Sequence, residues 1–229
     1  HRDRIAFMRV VSGRFDADRE VYHVQGGKKI KLSRPQQLMA AEREIIEEAY
    51  AGDIIGVFDP GIFSIGDTLC APGKKFRFDP IPTFAPEHFR RVRPLDTMKR
   101  KQFLKGMEQI AQEGAIQIFK TPYTGMEEVI VGVVGTLQFD VLEYRLKNEY
   151  GVELYMEGLP YEYLRWIEND TGEPIKEEQL ILGTDVKLVE DYKGNQLLLF
   201  ASQWSIHWVQ DKNKDLTLTE FGGARDSQG

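Results

Sequence analysis

Residues 129–156, VIVGVVGTLQFDVLEYRLKNEYGVELYM, hold the clearest alternation of apolar and polar positions in the chain. The first six, 129–134, carry no charge, which predicts a strand covered on both faces. Gly135 and Thr136 break it, and Thr136 is placed to cap a following helix. The apolar period then changes. Leu137, Val141 and Tyr144, with Phe139, Leu142 and Leu146, recur at three and four residues and predict a helix with a broad buried face, leaving Arg145, Lys147 and Glu149 to water. Gly151 ends that helix in left-handed geometry. Val152, Leu154 and Met156 then alternate with Glu153, Tyr155 and Glu157, as in a half-buried strand.

The same pattern occurs just upstream. Residues 89–93 alternate apolar with basic side chains, Pro94 closes the strand, and 97–113 carries Phe103, Leu104, Met107, Ile110 and Ala111 on one helical face before Gly114. Residues 115–120 read as a strand, joined to the next by a turn at 121–125. Over 88–156 the order is β-α-β-β-α-β, a ferredoxin-like arrangement in which two helices cover one face of a four-stranded antiparallel sheet. The other face is left for a partner or a neighbouring subdomain.

The first eighty residues alternate in shorter runs. Strands are predicted at 5–11, 21–24, 28–32, 45–48, 53–58 and 68–70, with corners at Gly26-Gly27, Gly52-Asp53, Pro60-Gly61 and Gly66-Asp67. That spacing predicts a small β-barrel. Pro80, Pro82 and Pro86 mark a stiff connection. Beyond Gly158 strands are predicted at 161–168, 185–190, 196–202 and 216–219, with a short helix around Trp204 and Trp208. The expected organisation is a barrel over 1–80, a linker over 81–87, a ferredoxin-like part over 88–157, a β-rich remainder over 158–221 and a mobile tail over 222–229.

Composition narrows the chemistry. The chain has 229 residues, 41% hydrophobic and 29% charged, enough for two ordinary domains. No stretch has the apolar length of a membrane helix, and the polar start does not suit a signal peptide, so a cytoplasmic protein without a membrane partner is expected. Its one cysteine, Cys70, suits a reducing compartment and reads as a core thiol. His1, His23, His88 and His207 show no metal-ligand spacing and read as surface or lightly buried imidazoles. Glu42, Glu44, Glu47 and Glu48 read as a solvated face rather than a metal or acid-base cluster. No GxxxxGK[ST] loop occurs. Neither a catalytic residue nor a metal site is expected.

Charge is more telling. Residues 88–105 hold Arg90, Arg91, Arg93, Lys99, Arg100, Lys101 and Lys105 against Asp96 alone, a net of +6 in a chain whose total is −6, so the rest carries −12. A basic island on an acidic body fits a structured RNA or an acidic protein surface, as well as a plainly solvated face. Lys28, Lys29, Lys31 and Arg34 make a weaker second cluster on a barrel hairpin.

Five segments taken together resemble the carboxyl-terminal portion of bacterial peptide chain release factor three. They are RDRIAFMRVVSGRF (2–15), EEAYAGDIIGVFDPGIFSIGDTL (47–69), IPTFAPEHFRRVRPLD (81–96), KQFLKGMEQIAQEGAIQIF (101–119) and VGVVGTLQFDVLEYRLKNEYGVE (131–153). AGDIIG and IGDTL would fit the second domain of any translational GTPase, whereas FAPEHFRRVRP and VGTLQFDVLEYRL are more specific. GTLQFD at 135–140 stands where elongation factor G has a GELHLE-like motif, which favours the release factor.

The resemblance implies a second-domain barrel like that of elongation factor Tu and a third domain, with GTP or GDP and magnesium held by an amino-terminal domain outside this chain. It implies as partners the ribosome, small-subunit RNA and small-subunit protein number twelve, a class one release factor and the factor's own GTP-binding domain. These residues themselves would not hydrolyse GTP. The basic residues of both clusters are the expected ribosome contacts, and an open barrel edge can pair with another copy. Two other readings stay open: the equivalent piece of an elongation factor G relative, and a self-contained enzyme on the ferredoxin-like sheet, which lacks a paired nucleophile and base.

Overall fold

The computed structural model describes residues 4–32, 36–39, 42–79, 81, 85–122, 129–169 and 171–220, with backbone alone at 36–39 and 42–44. The chain divides into two compact units, His1–Ile81 and Pro82–Gly229. Pro80, Pro82, Arg34, much of the 121–125 turn and the 222–229 tail fall outside the described residues.

The first unit contains nine strands among the described residues: β1 (Ile5–Arg9), β2 (Arg14–Asp16), β3 (Glu20–His23), β4 (Lys28–Lys31), β5 (Gln36–Met39), β6 (Glu42–Ile45), β7 (Glu48–Tyr50), β8 (Ile54–Phe58) and β9 (Leu69–Cys70). They form sheets in the orders β1-β8-β5-β6 and β4-β3-β9, with a pair β2-β7. One barrel-like core of Leu32, Ala49, Ile55, Val57 and Phe63 lies between them. Antiparallel pairing sets Ala6 opposite Val57 and Met8 opposite Ile55, so alternate residues of β1 and β8 face this core. The run at 45–48, expected as one strand, is split into β6 and β7 by Ile46 and Glu47. β2 and β5 were not expected, because RFD holds one apolar residue and QQLM sets its two side by side, so neither repeats with a period of two.

Two acids fix the loop after β8. Asp59, buried, accepts from the Gly61 and Ile62 N–H groups at 2.8 Å and pairs with Arg4 at 3.2 Å. Asp67, half-buried, accepts from Ser64 N–H and meets His23 Nε2 at 2.7 Å. His23 is only 3% exposed, which corrects the expectation of a surface or lightly buried imidazole. Its burial goes with close packing: a Cβ at Gly26 would lie 2.4 Å from its Nδ1, so only glycine fits beside the ring.

The second unit contains β10 (His88–Pro94), a 3-10 turn (Thr97–Lys99), α1 (Arg100–Gln112), β11 (Gln117–Lys120), β12 (Val129–Val133), α2 (Leu137–Tyr150), β13 (Leu154–Leu159), β14 (Tyr163–Glu168), β15 (Val186–Asp191), β16 (Gln196–Phe200), α3 (Gln203–Lys212) and β17 (Thr217–Thr219). The ferredoxin-like order is present. Its four strands do not stop at β11, however, because Phe119 and Lys120 pair with Asp191 and Glu190 and carry the ladder on into β15, β16, β14 and β17.

Strand alternation then builds three cores. Val92, Val129, Val131 and Val133 face α1 and α2. Phe89, Phe119 and Ile130, on the other side of the same strands, meet Leu164, Val189, Leu197 and Leu199. Leu188, Leu198 and Phe200 point the opposite way, toward Ile206 and Val209 of α3. The sheet face left open by the sequence reading is thus covered by the chain's own carboxyl-terminal half.

α1 and α2 cross closely at Gly106, where a Cβ would lie 2.4 Å from Leu146 Cδ2 and 3.0 Å from the Tyr150 ring. Two expectations about α2 need correcting. Thr136 makes no side-chain cap; instead the Gln138 side-chain oxygen accepts from the N–H groups of Val134 (3.0 Å) and Gly135 (3.2 Å). The buried face is also narrower than expected. Phe139, Leu142 and Leu146 are buried, whereas Leu137, Val141 and Tyr144 are 75%, 52% and 69% exposed. A helix lying on one sheet has a single covered side, and these three lie about 130–175° round from it.

Candidate nucleic-acid interface

The basic island of 88–105 does not form one patch, and strand parity is the reason. On β10, Arg90 shares the helix-side face with Val92, and its guanidinium lies 4.3 Å from the centre of the Phe139 ring. Arg91 and Arg93 point to the opposite face. There the antiparallel register with β13 sets Arg91 beside Glu157 and Arg93 beside Tyr155. Arg91 Nη1 meets Glu157 Oε2 at 3.0 Å, and Arg93 stacks 4.5 Å above the Tyr155 ring. Tyr155 and Glu157 were missed by the sequence reading; the register that pairs them with arginines could not be read before the sheet order was known.

The other island residues lie at the start of α1. Asp96 caps the 3-10 turn by accepting from Met98 N–H at 2.9 Å. Lys99 is half-buried near Gly151, where the left-handed end of α2 exposes carbonyl oxygens that favour a cation. Arg100 begins the helix. Lys101 and Lys105 stand one turn apart on its exposed surface, because Phe103, Gly106, Met107 and Ile110 occupy the buried side. Neither lysine has an ion-pair partner among the described residues. They can therefore meet an anionic ligand without breaking an existing bond, which Arg91 cannot. In the first unit Lys28, Lys29 and Lys31 are exposed on β4, and Lys31 lies opposite Glu20 in the ladder. Arg34 lies outside the described residues.

An open cleft runs beside Arg90, lined also by Thr136, Phe139, Tyr161 and Arg165. Partial burial pushes the Tyr161 hydroxyl pKa above its ordinary value. Arg165 is held at this wall by the Leu164 carbonyl (2.8 Å) and Glu220 (3.1 Å).

Other candidate residues do not converge on a site. Among the described residues no three of His, Cys, Asp and Glu gather where a metal ion could sit. His88 on β10 and His207 on α3 are exposed, with His207 Nδ1 within 2.9 Å of the Gln203 carbonyl. Cys70 is half-buried and its thiol donates to the Lys74 carbonyl at 3.1 Å. Glu48 is exposed, accepts from the Tyr50 hydroxyl at 2.8 Å and lies 3.7 Å from Arg14; Glu47 beside it is exposed, and the Glu42 and Glu44 side chains lie outside the described ones.

Comparison with known proteins gives two successive family matches. Residues 78–210 match the family described as class II release factor RF3, C-terminal domain, and residues 1–72 match elongation factor G domain 2. Similar curated proteins include peptide chain release factor 3 of Symbiobacterium thermophilum, 52% identical over 225 residues. That match covers 98% of this chain and 42% of the relative. The proteins of the same name from Gloeobacter violaceus and Streptococcus mutans are each 44% identical over 221 residues, 96% of this chain and 41% of theirs. The chain therefore spans about two-fifths of the length of these relatives. A crystal structure of a Thermus thermophilus protein shares the fold over 74% of this chain and 27% of its own, with a TM-score of 0.55 and 18% identity.

Proposed function

Because the chain belongs to the peptide chain release factor 3 family and corresponds to its carboxyl-terminal portion, we propose that it is the ribosome-docking and motion-transmitting part of a translation-termination GTPase. In this reading the nucleotide, its magnesium ion and the hydrolytic chemistry belong to a domain outside these residues. Nucleotide state changes how that domain is oriented, and rigid-body movement carries the change to the ribosome, from which a class one release factor is then removed. Small-subunit RNA and small-subunit protein number twelve are the proposed ribosomal partners, in the cytoplasm.

The observation that carries the proposal is the pair Lys101 and Lys105, exposed on one face of α1 and both without an ion-pair partner among the described residues. Arg93 on Tyr155 supplies a cation already stacked on an aromatic ring, a combination suited to an unpaired base and its phosphate. Arg90 and Arg91 contribute less in the free state, since Phe139 and Glu157 already engage them.

The test is the salt dependence of binding to small ribosomal subunits by the chain and by its Lys101→Ala/Lys105→Ala variant. Two lost phosphate contacts lower the slope of log K against log salt by about 1.8, so the affinity lost between 50 and 200 mM salt shrinks by about tenfold. An unchanged slope with unchanged affinity rejects α1 as the docking surface.

A further inference from the structure

The outward side of α2 is apolar where a solvated helix is polar. Leu137, Val141 and Tyr144 stand at i, i+4 and i+7, forming one stripe roughly 10 Å long. Val134, just ahead of the helix, adds a fourth exposed apolar side chain. The core does not need them, since Phe139, Leu142 and Leu146 fill the space beneath. A contiguous apolar surface of this kind marks a place where something docks.

The surrounding charges indicate what kind of partner fits. Arg145 is held between Glu113 and Glu149, and Lys147 pairs with Glu153 at 3.2 Å, so both cations of the helix are already neutralised. Asp140 and Glu143 flank the stripe and have no ion-pair partner among the described residues. An RNA backbone would meet two carboxylates here and no uncommitted cation of this helix, and would be repelled. A second copy docked by the same stripe about a two-fold axis would bring Asp140 and Glu143 against their own counterparts, on a patch well short of the roughly 800 Å² per partner that a stable interface needs.

From this geometry we infer that the α2 stripe docks a basic protein segment. Its aliphatic side chains cover Leu137, Val141 and Tyr144, while its Lys or Arg side chains reach Asp140 and Glu143. The inference goes beyond the ribosomal reading and stands on a different helix face from Lys101 and Lys105.

The probe is a short synthetic amphipathic helix of leucine and lysine, compared with its leucine–glutamate counterpart and with oligouridine, each titrated into the isotope-labelled chain and followed by NMR. The leucine–lysine peptide is expected to shift the α2 amides and to bind about tenfold tighter than the acidic one. Asp140→Lys/Glu143→Lys should reverse that preference, and Val141→Ser should weaken both peptides while leaving the thermal melt unchanged, because these side chains are exposed. Equal binding of the two peptides, shifts confined to another surface, or oligouridine bound at α2 would overturn the inference. So would self-association in sedimentation that Val141→Ser abolishes, since that assigns the stripe to a second copy. All four results are independent of whether Lys101 and Lys105 hold the ribosome.

Discussion

Replacing Gly106 with alanine sets two effects of known sign against each other. Alanine is favoured over glycine in a helix interior by about 1 kcal/mol, and on an exposed helix the change would stabilise. Here the new methyl carbon would lie 2.4 Å from Leu146 Cδ2 and 3.0 Å from the Tyr150 ring, against a comfortable separation of about 3.5–4.0 Å. Leu146 is fully buried among Phe103, Met107, Phe139 and Leu142, so its methyl group has nowhere to swing, and overpacking of this kind costs about 1–3 kcal/mol. The net expectation is a loss of about 1 kcal/mol. Leu146→Ala alone should cost about 2–5 kcal/mol through the cavity it leaves. In that background the 2.4 Å clash is gone while the Tyr150 ring at 3.0 Å remains, so Gly106→Ala should become roughly neutral, giving a coupling of about 1 kcal/mol in the double-mutant cycle. The chain's three tryptophans, Trp166, Trp204 and Trp208, all lie in the second unit, so urea unfolding followed by tryptophan fluorescence reports on that unit alone. If Gly106→Ala stabilises the wild-type background, or the two substitutions are additive, the close helix crossing is not what selects glycine.

Three further outcomes follow from the geometry. Gln138→Ala should destabilise by about 1 kcal/mol because two N–H acceptances are lost, while Thr136→Ala should change little; the reverse ranking in the same urea assay would restore threonine as the cap. Above about pH 10 stability should fall, because the unfolded chain releases the Tyr161 proton before the folded one does. That contribution is intact below the ordinary tyrosine pKa and is lost as pH rises through the raised folded value, so Tyr161→Phe should flatten the alkaline limb of a stability–pH profile. His23→Ala should lower the melting temperature of the barrel unit, followed by circular dichroism, since it empties a buried site and leaves Asp67 with Ser64 N–H but without its imidazole partner; an unchanged melt would show that the His23–Asp67 pair contributes nothing to stability.

Long periodic segments were legible from the residues alone. β10 to β13 with their two helices, and α3 around Trp204 and Trp208, come from runs long enough for a period of about two or 3.6 residues to declare itself. β2 and β5 do not, for want of alternation. The failure on α2 is more instructive. Leu137, Val141 and Tyr144 have the residue types and spacing of a core face, and only the presence of a single sheet beneath the helix shows that they cannot all be covered. The site was half readable. Alternation on β10 separates Arg90 from Arg91 and Arg93 in principle, yet the partners Glu157 and Tyr155 depend on a register that the intervening helices and strands do not reveal. The exposure of Lys101 and Lys105 on α1 follows directly from helical spacing.

The unbroken ladder from β13 to β17 bears on how the second unit can be cut, shuffled or made to move. Among the described residues Phe89, Phe119 and Ile130 are roofed mainly by the strands beyond residue 158, so a polypeptide ended there would display a greasy sheet and clump rather than persist as an independent module. The same joinery fastens the helix layer to the tryptophan-bearing end of this unit at a single ladder seam among the described residues, the pairs Phe119–Asp191 and Lys120–Glu190.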